Sequence, residues 1–211
     1  MSDYKASLIC HLVFLLGVGP WVILYDKTES LIWINQHHHP ILDQLLYHLT
    51  RLPEVSLIVF VAVLAFFHER KTSLSVALGL LVCGISIYLF KQVLFSDFER
   101  PSVWIKAHQI KMHLLQSIDL HSNGSFPSGH TLGAFAALGM SGFMSKNAWI
   151  QILFFILACG IAYSRVYVCQ HYLRDVYVGA LYGYGVCLLL FIIFNRLSSP
   201  YWNKLPFSKQ S

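Results

Sequence analysis

Two imidazole rings, a carboxylate and a small set of cations stand in this chain at spacings that could handle a phosphate. His171 and Asp175 lie four residues apart, a separation that puts two side chains on one face of a helix. In that arrangement Asp175 accepts a hydrogen bond from one ring nitrogen of His171 and fixes its tautomer. The other nitrogen is left as a nucleophile, and the carboxylate stabilises positive charge that develops on the ring. Upstream, Ser164-Arg165 completes a run of Ser-Arg, five residues, His, three residues, Asp. A second cluster is Pro127-Ser128-Gly129-His130. Proline and a small hydroxyl residue at a helix start, with backbone N–H groups free, make an anion site. Ser128 can add a hydroxyl donor, Gly129 lets the backbone come close, and His130, one turn in, is placed to protonate a leaving oxygen as general acid. The third cluster is Lys91 with Arg100-Pro101: a point charge, and a planar fork suited to two phosphate oxygens.

Each cluster alone has an ordinary structural explanation as well. His171 and Asp175 could cap the last apolar segment, Pro-Ser-Gly is a common helix start, and Lys91 could snorkel to lipid headgroups from a helix end. What sets them apart is the company they keep. The chain has 211 residues, of which 56% are hydrophobic and only 12% charged, against about 25% charged in soluble domains. A Lys, Arg or Asp at the centre of a membrane helix costs about 2.5–3.5 kcal/mol on insertion scales. Groups of them at helix ends therefore point to a water-facing site.

The elements that must carry these residues are membrane helices, each needing about 20 apolar residues. Six segments qualify or nearly do: Ser7–Tyr25, with Pro20 as an expected kink; Val55–Phe67, long enough if it starts near Leu49; Ser73–Phe95; Ser128–Met144; Ala148–Val168; and Val176–Phe194. The expected fold is all-α, a single domain over residues 1–211 built as a six-transmembrane-helix bundle. Between the first two spans, Asp26–Leu52 is an extra-membrane segment whose apolar residues from Ile41 onward recur at three- and four-residue spacing, predicting an amphipathic helix at the interface. A long loop, Ser96–Phe126, joins the third and fourth spans. Gly79, Gly84, Gly133, Gly139, Gly179, Gly183 and Gly185 are expected to permit close helix packing. The apolar run after the N-terminus has no small-residue cleavage site behind it and reads as a retained helix.

Orientation follows from Lys and Arg in the short loops. With the three site cations set aside, the side holding the termini carries Lys5, Arg70, Lys71, Lys146, Arg196, Lys204 and Lys209, and the other carries Lys27, Arg51, Lys106, Lys111 and Arg174. Both termini are then expected in the cytoplasm, with all three clusters on the outer face. The formal charge of +5 comes with no basic stripe or aromatic platform of the kind nucleic acid needs. The five cysteines, Cys10, Cys83, Cys159, Cys169 and Cys187, show no CxxC spacing, which argues against a zinc site or disulfide framework. His37-His38-His39 look like a metal tract, but nothing nearby completes a ligand set and Pro40 marks a loop.

Taken together, the clusters resemble the signatures of the type 2 phosphatidic acid phosphatase family: K-x6-RP, PSGH and SR-x5-H-x3-D. The second and third match letter for letter, and the resemblance covers roughly residues 73–194. One departure is plain, since eight residues, Gln92 to Glu99, separate Lys91 from Arg100 where the usual motif has six. The two extra residues are expected to bulge in the loop, and Asp97 and Glu99 stand beside the phosphate-binding cations. The resemblance implies His171 as nucleophile forming a phospho-histidine, Asp175 as its orienting partner and His130 as general acid. Lys91, Arg100, Ser128, Gly129 and Arg165 would hold the phosphate oxygens, and no metal or cofactor is required. It implies a lipid phosphate substrate met at the outer face of a bacterial inner membrane: phosphatidic acid, phosphatidylglycerol phosphate, undecaprenyl pyrophosphate or the phosphates of lipid A. Two other classes use comparable groups. Vanadium haloperoxidases hold vanadate with similar residues but are soluble, and a transporter would place its anion site near the bilayer midplane.

Overall fold

Polar caps and turns divide the apolar chain into helices. In a computed structural model describing residues 4–196 apart from 53 and 117, all regular structure among the described residues is helical. The order is α1 (Lys5–Leu24), α2 (Lys27–Gln36), α3 (Pro40–Arg51), α4 (Glu54–Phe66), α5 (Arg70–Leu89), α6 (Pro101–Ala107), α7 (Gly129–Met144), α8 (Ala148–Tyr167) and α9 (Leu173–Asn195). A π-helical turn, Phe90–Leu94, continues α5. α1 is continuous through Pro20. α2 starts with a capping box, in which Asp26 accepts the Thr28 N–H at 2.8 Å and Glu29 accepts the Asp26 N–H at 3.1 Å. α3 begins with Pro40 in its first turn and His39 as N-cap. It is amphipathic, burying Leu46 and Thr50 while Ile41 and Leu45 face outward.

Among the described residues, four helices are long and apolar enough to cross a membrane: α1, α5 extended to Leu94, α8 and α9. α4 has 13 residues and α7 has 16, short of the length a lone span needs. α3 ends at Arg51 and α4 begins at Glu54, so the second apolar helix does not reach back to Leu49. The reason α7 can be short lies in its position. Its residues from Ala134 to Phe143 are all buried, because α7 is the central helix, packed against α1, α4, α5, α8 and α9. The outer surface of the bundle is apolar instead: Leu16 is 67% exposed, Ile23 82% and Leu189 59%, an arrangement that suits hydrocarbon rather than water.

Glycine sets the closest approach, that of α7 and α9. A Cβ at Gly179 would lie 2.7 Å from the Ser128 carbonyl oxygen, and one at Gly183 would run into the backbone of Leu132. Gly79 and Gly139 face the side chains of Cys187 and Tyr184, where a Cβ would stand 3.2 and 3.0 Å away. Gly84, Gly133 and Gly185, expected to do likewise, face open space; a period read from sequence does not say which side of a helix meets a neighbour.

The segment between α5 and α7 is not a plain loop, since it contains α6. Backbone hydrogen bonds pin its two ends together: Arg100 N–H to Ser122 O at 2.7 Å, Ser125 N–H to Phe98 O at 2.9 Å and Gly124 N–H to Ser96 O at 3.3 Å. Its middle is tied to α2 and α3. The Asn35 side chain accepts the His113 N–H at 2.8 Å and donates to the His113 carbonyl at 2.7 Å. The His113 ring meets both carboxylate oxygens of Asp43 at 3.0 Å, and Tyr167 donates its hydroxyl to the same carboxylate.

Candidate active site

The start of α9 is built around Asp175, which is fully buried. Its Oδ2 accepts the Tyr172 N–H at 3.0 Å and the Ser125 hydroxyl at 2.6 Å, and its carbonyl accepts the Ser128 N–H at 3.0 Å. One residue thus caps its own helix and joins it to the start of α7. His171 lies in the turn before α9, where Cys169 takes a left-handed φ of 55° and both the Gln170 and His171 N–H groups donate to the Arg165 carbonyl. The expected helical i, i+4 pair is therefore corrected. His171 is not on the helix, and its Nδ1 stands 3.8 Å from Asp175 Oδ2, within electrostatic reach but beyond a hydrogen bond.

His171 is 1% exposed, and burial, aided by the nearby Arg100 and Arg165 cations, pushes its imidazole down to about 3. The ring is thus neutral at physiological pH, the form a nucleophile needs. Its Nε2 faces Arg100 Nη1 at 3.4 Å. Arg100 is itself buried and held from several sides: Nη1 donates to Gln170 Oε1 at 2.8 Å, Nε to the Asn123 carbonyl at 2.9 Å, and Nη2 to the Gly124 carbonyl at 3.4 Å. Lys91 Nζ donates to that same Gly124 carbonyl at 2.7 Å. The widened spacing between Lys91 and Arg100 therefore still brings both cations to one acceptor. The π turn absorbs part of the excess, with Phe95 N–H reaching back to Phe90 O at 2.8 Å. Asp97 and Glu99 are exposed.

Ser128 is the N-cap of α7, and Gly129 is the first residue of that helix; both are buried. Ser128 Oγ accepts the Thr131 hydroxyl at 3.0 Å, which leaves its own O–H to donate. His130, half-buried, lines a cavity of about 230 Å³ together with Arg165, Gln170, Thr50, Arg51 and His121. Arg165 Nη1 donates to Thr50 Oγ1. All eight sequence-selected residues thus gather at one end of the bundle, where α5 and α8 finish and α7 and α9 begin. Several partners were not selected from the sequence, among them Ser125, Gly124, Gln170 and Thr50. Ser125, Gly124 and Gln170 stand beside selected motifs, which is a weak signal; Thr50, 115 residues from Arg165, has none.

Of the other residues singled out in the sequence, Arg174 borders this constellation. Arg174 Nε is 3.5 Å from Asp175 Oδ1, with its guanidinium over the Tyr172 ring. His38 stacks on His113 with centroids 3.9 Å apart, His37 hydrogen-bonds the Trp33 carbonyl, and His39 caps α3. No group of three or more metal-ligating side chains occurs among the described residues. Phe126 packs against Phe95 and Phe98.

The model of the PAP2 superfamily matches residues 71–199. The chain belongs to the PAP2 superfamily. Over 168 residues this PAP2 chain is 32% identical to the lipid A 1-phosphatase of Rhizobium johnstonii, an alignment covering 70% of this chain and 66% of that protein. Over 169 residues it is 28% identical to the undecaprenyl-diphosphatase BcrC of Bacillus subtilis, covering 78% and 81%. The crystal structure of a transmembrane PAP2-type phosphatidylglycerolphosphate phosphatase from Bacillus subtilis shares the fold, with a TM-score of 0.64 at 19% identity over 94% of this chain and 98% of that one. With its apolar outer surface and spanning helices, the PAP2 chain is an integral membrane protein.

Proposed function

We propose that this chain hydrolyses a phosphomonoester or diphosphate of a membrane lipid through a phospho-histidine. The observation that carries the reading is the buried His171, with Nε2 toward Arg100 and Nδ1 toward Asp175. His171 Nε2 attacks phosphorus, the bond from phosphorus to the lipid oxygen breaks, and His130 protonates that oxygen as it leaves. Positive charge spreads over the ring, where the Asp175 carboxylate stabilises it. Lys91, Arg100, Arg165, the Ser128 hydroxyl and the Gly129 backbone hold the phosphoryl oxygens, preorganised by the hydrogen bonds described above. Water, deprotonated by His130, then cleaves the N–P bond, releasing phosphate and restoring neutral His171.

The chain is a six-span bundle in this reading, with α4 and α7 as its short spans, both termini in the cytoplasm and the site on the outer face of a bacterial inner membrane. Its substrates come from the lipids named above, and the relatives' names support that class. The test is phosphate release by the purified protein in detergent, with a chelator present, against a panel of those lipids and beside His171→Ala. Chelator-resistant release that the variant loses is the expected result. Lipid-phosphate binding without release, unchanged in His171→Ala, would favour an anion carrier.

A further inference from the structure

α3 lies outside residues 71–199, the region matched by the PAP2 superfamily, yet its last turn is built into the site. Thr50 is buried and accepts a hydrogen bond from Arg165, and both Thr50 and Arg51 line the cavity that contains His130. Arg51 is exposed and meets Tyr47, one turn back on its own helix. Its guanidinium lies 4.9 Å from the Tyr47 ring centroid, and Nη1 donates to the Tyr47 hydroxyl. A cation ordered in this way loses less side-chain entropy when an anion arrives.

Charge says which anion. The inner site holds the cations Lys91, Arg100 and Arg165, while the buried Asp175 carboxylate has Arg174 at 3.5 Å as an ion-pair partner of its own. A phosphomonoester carries about two negative charges near neutral pH, so those groups already match one phosphoryl. A lipid diphosphate brings a second, which must sit on the leaving side, beside His130. Asp119 also lines this cavity and would repel it, and besides Arg165 the cation lining the cavity is Arg51.

We infer that Arg51 is a specificity-determining residue, contacting the leaving phosphate of a lipid diphosphate and favouring diphosphates over monophosphates of the same lipid. This rests on the phospho-histidine reading above. His171 Nε2 attacks the terminal phosphorus, the bond from that phosphorus to the bridging oxygen breaks, and the lipid monophosphate departs with the electron pair. An alkoxide must be protonated as it leaves, but a departing phosphate spreads its charge over several oxygens, which a guanidinium meets with a fork of donors. Water then cleaves the N–P bond as before.

The test compares farnesyl diphosphate with farnesyl monophosphate, using full-length wild type, Arg51→Ala, Arg51→Lys and His171→Ala in detergent. In Arg51→Ala the ratio of kcat/KM for diphosphate over monophosphate falls roughly ten- to a hundredfold, as expected for losing a hydrogen-bonded charge, and Arg51→Lys recovers part of it. Equal loss on both substrates would assign Arg51 a merely structural role and overturn the inference, as would an unchanged ratio. Release that persists in His171→Ala would overturn the underlying histidine mechanism itself, whatever Arg51 does.

Discussion

Replacing Gly179 with alanine tests whether the approach of α7 and α9 is what assembles the site. The added Cβ would stand 2.7 Å from the Ser128 carbonyl oxygen, 0.7 Å inside the 3.4 Å at which ordinary contact begins (3.4 − 2.7), and 3.4 Å from Leu132 N. The obstacle is backbone, which cannot swing aside as a side chain would. α7 must therefore shift by some tenths of an ångström, and it carries Ser128, Gly129 and His130 while α9 carries Asp175. Overpacking of this kind costs about 1–3 kcal/mol, and a misplacement near 1 Å costs about a hundredfold in rate. The expected outcome is a kcat lower by roughly ten- to a hundredfold, with a lower unfolding temperature in detergent. Gly133→Ala and Gly185→Ala, on the same two helices but facing open space, serve as controls and should keep activity within about twofold, gaining helix propensity. Full activity in Gly179→Ala, or an equal loss in the controls, would refute the reasoning, because the added methyl group is common to all three.

Two further predictions rest on Asp175 and His171. Ser125→Ala removes the hydroxyl that donates to Asp175 Oδ2 at 2.6 Å; losing a bond to a buried charge is worth about 1–3 kcal/mol, so kcat should fall on the order of tenfold with KM little changed, and an unaltered kcat would remove Ser125 from the site. The low proton affinity of His171 also predicts a pH effect on stability. The folded ring binds a proton only near pH 3, the unfolded one near 6.5, so between those values the unfolded state holds more protons and stability falls as pH is lowered. Equilibrium unfolding should show a slope of up to about 1.4 kcal/mol per pH unit below about pH 6.5 that His171→Gln lacks; parallel curves for the two proteins would mean that the ring is not buried neutral.

Much of this chemistry is written in short stretches. Pro127-Ser128-Gly129-His130 is a helix start, and Ser164-Arg165 through Asp175 is the end of one helix, a short turn and the start of the next. Functional groups in such stretches are placed by local backbone geometry, so spacing alone reveals them. Even there the reading slipped where the helix boundary mattered: α9 begins at Leu173, so His171 and Asp175 meet across a cap rather than along a face. Hydropathy likewise located the apolar segments but could not separate α7, enclosed by other helices, from those whose apolar side chains face outward, because burial in protein and burial in lipid favour similar residues.

Residue types and local spacing therefore determined by themselves that this chain is helical and apolar and carries a histidine, a carboxylate and cations suited to phosphate. Only the tertiary structure decided that Ser125 reaches Asp175, that Gly124 gathers Lys91 and Arg100, and that α3 brings Thr50 and Arg51 to Arg165. The physical reason is range. A cap or a turn is closed by neighbours in the chain, whereas these contacts join residues 24 to 115 positions apart, and the one from Ser125 to Asp175 needs α9 close to the start of α7, as Gly179 and Gly183 allow.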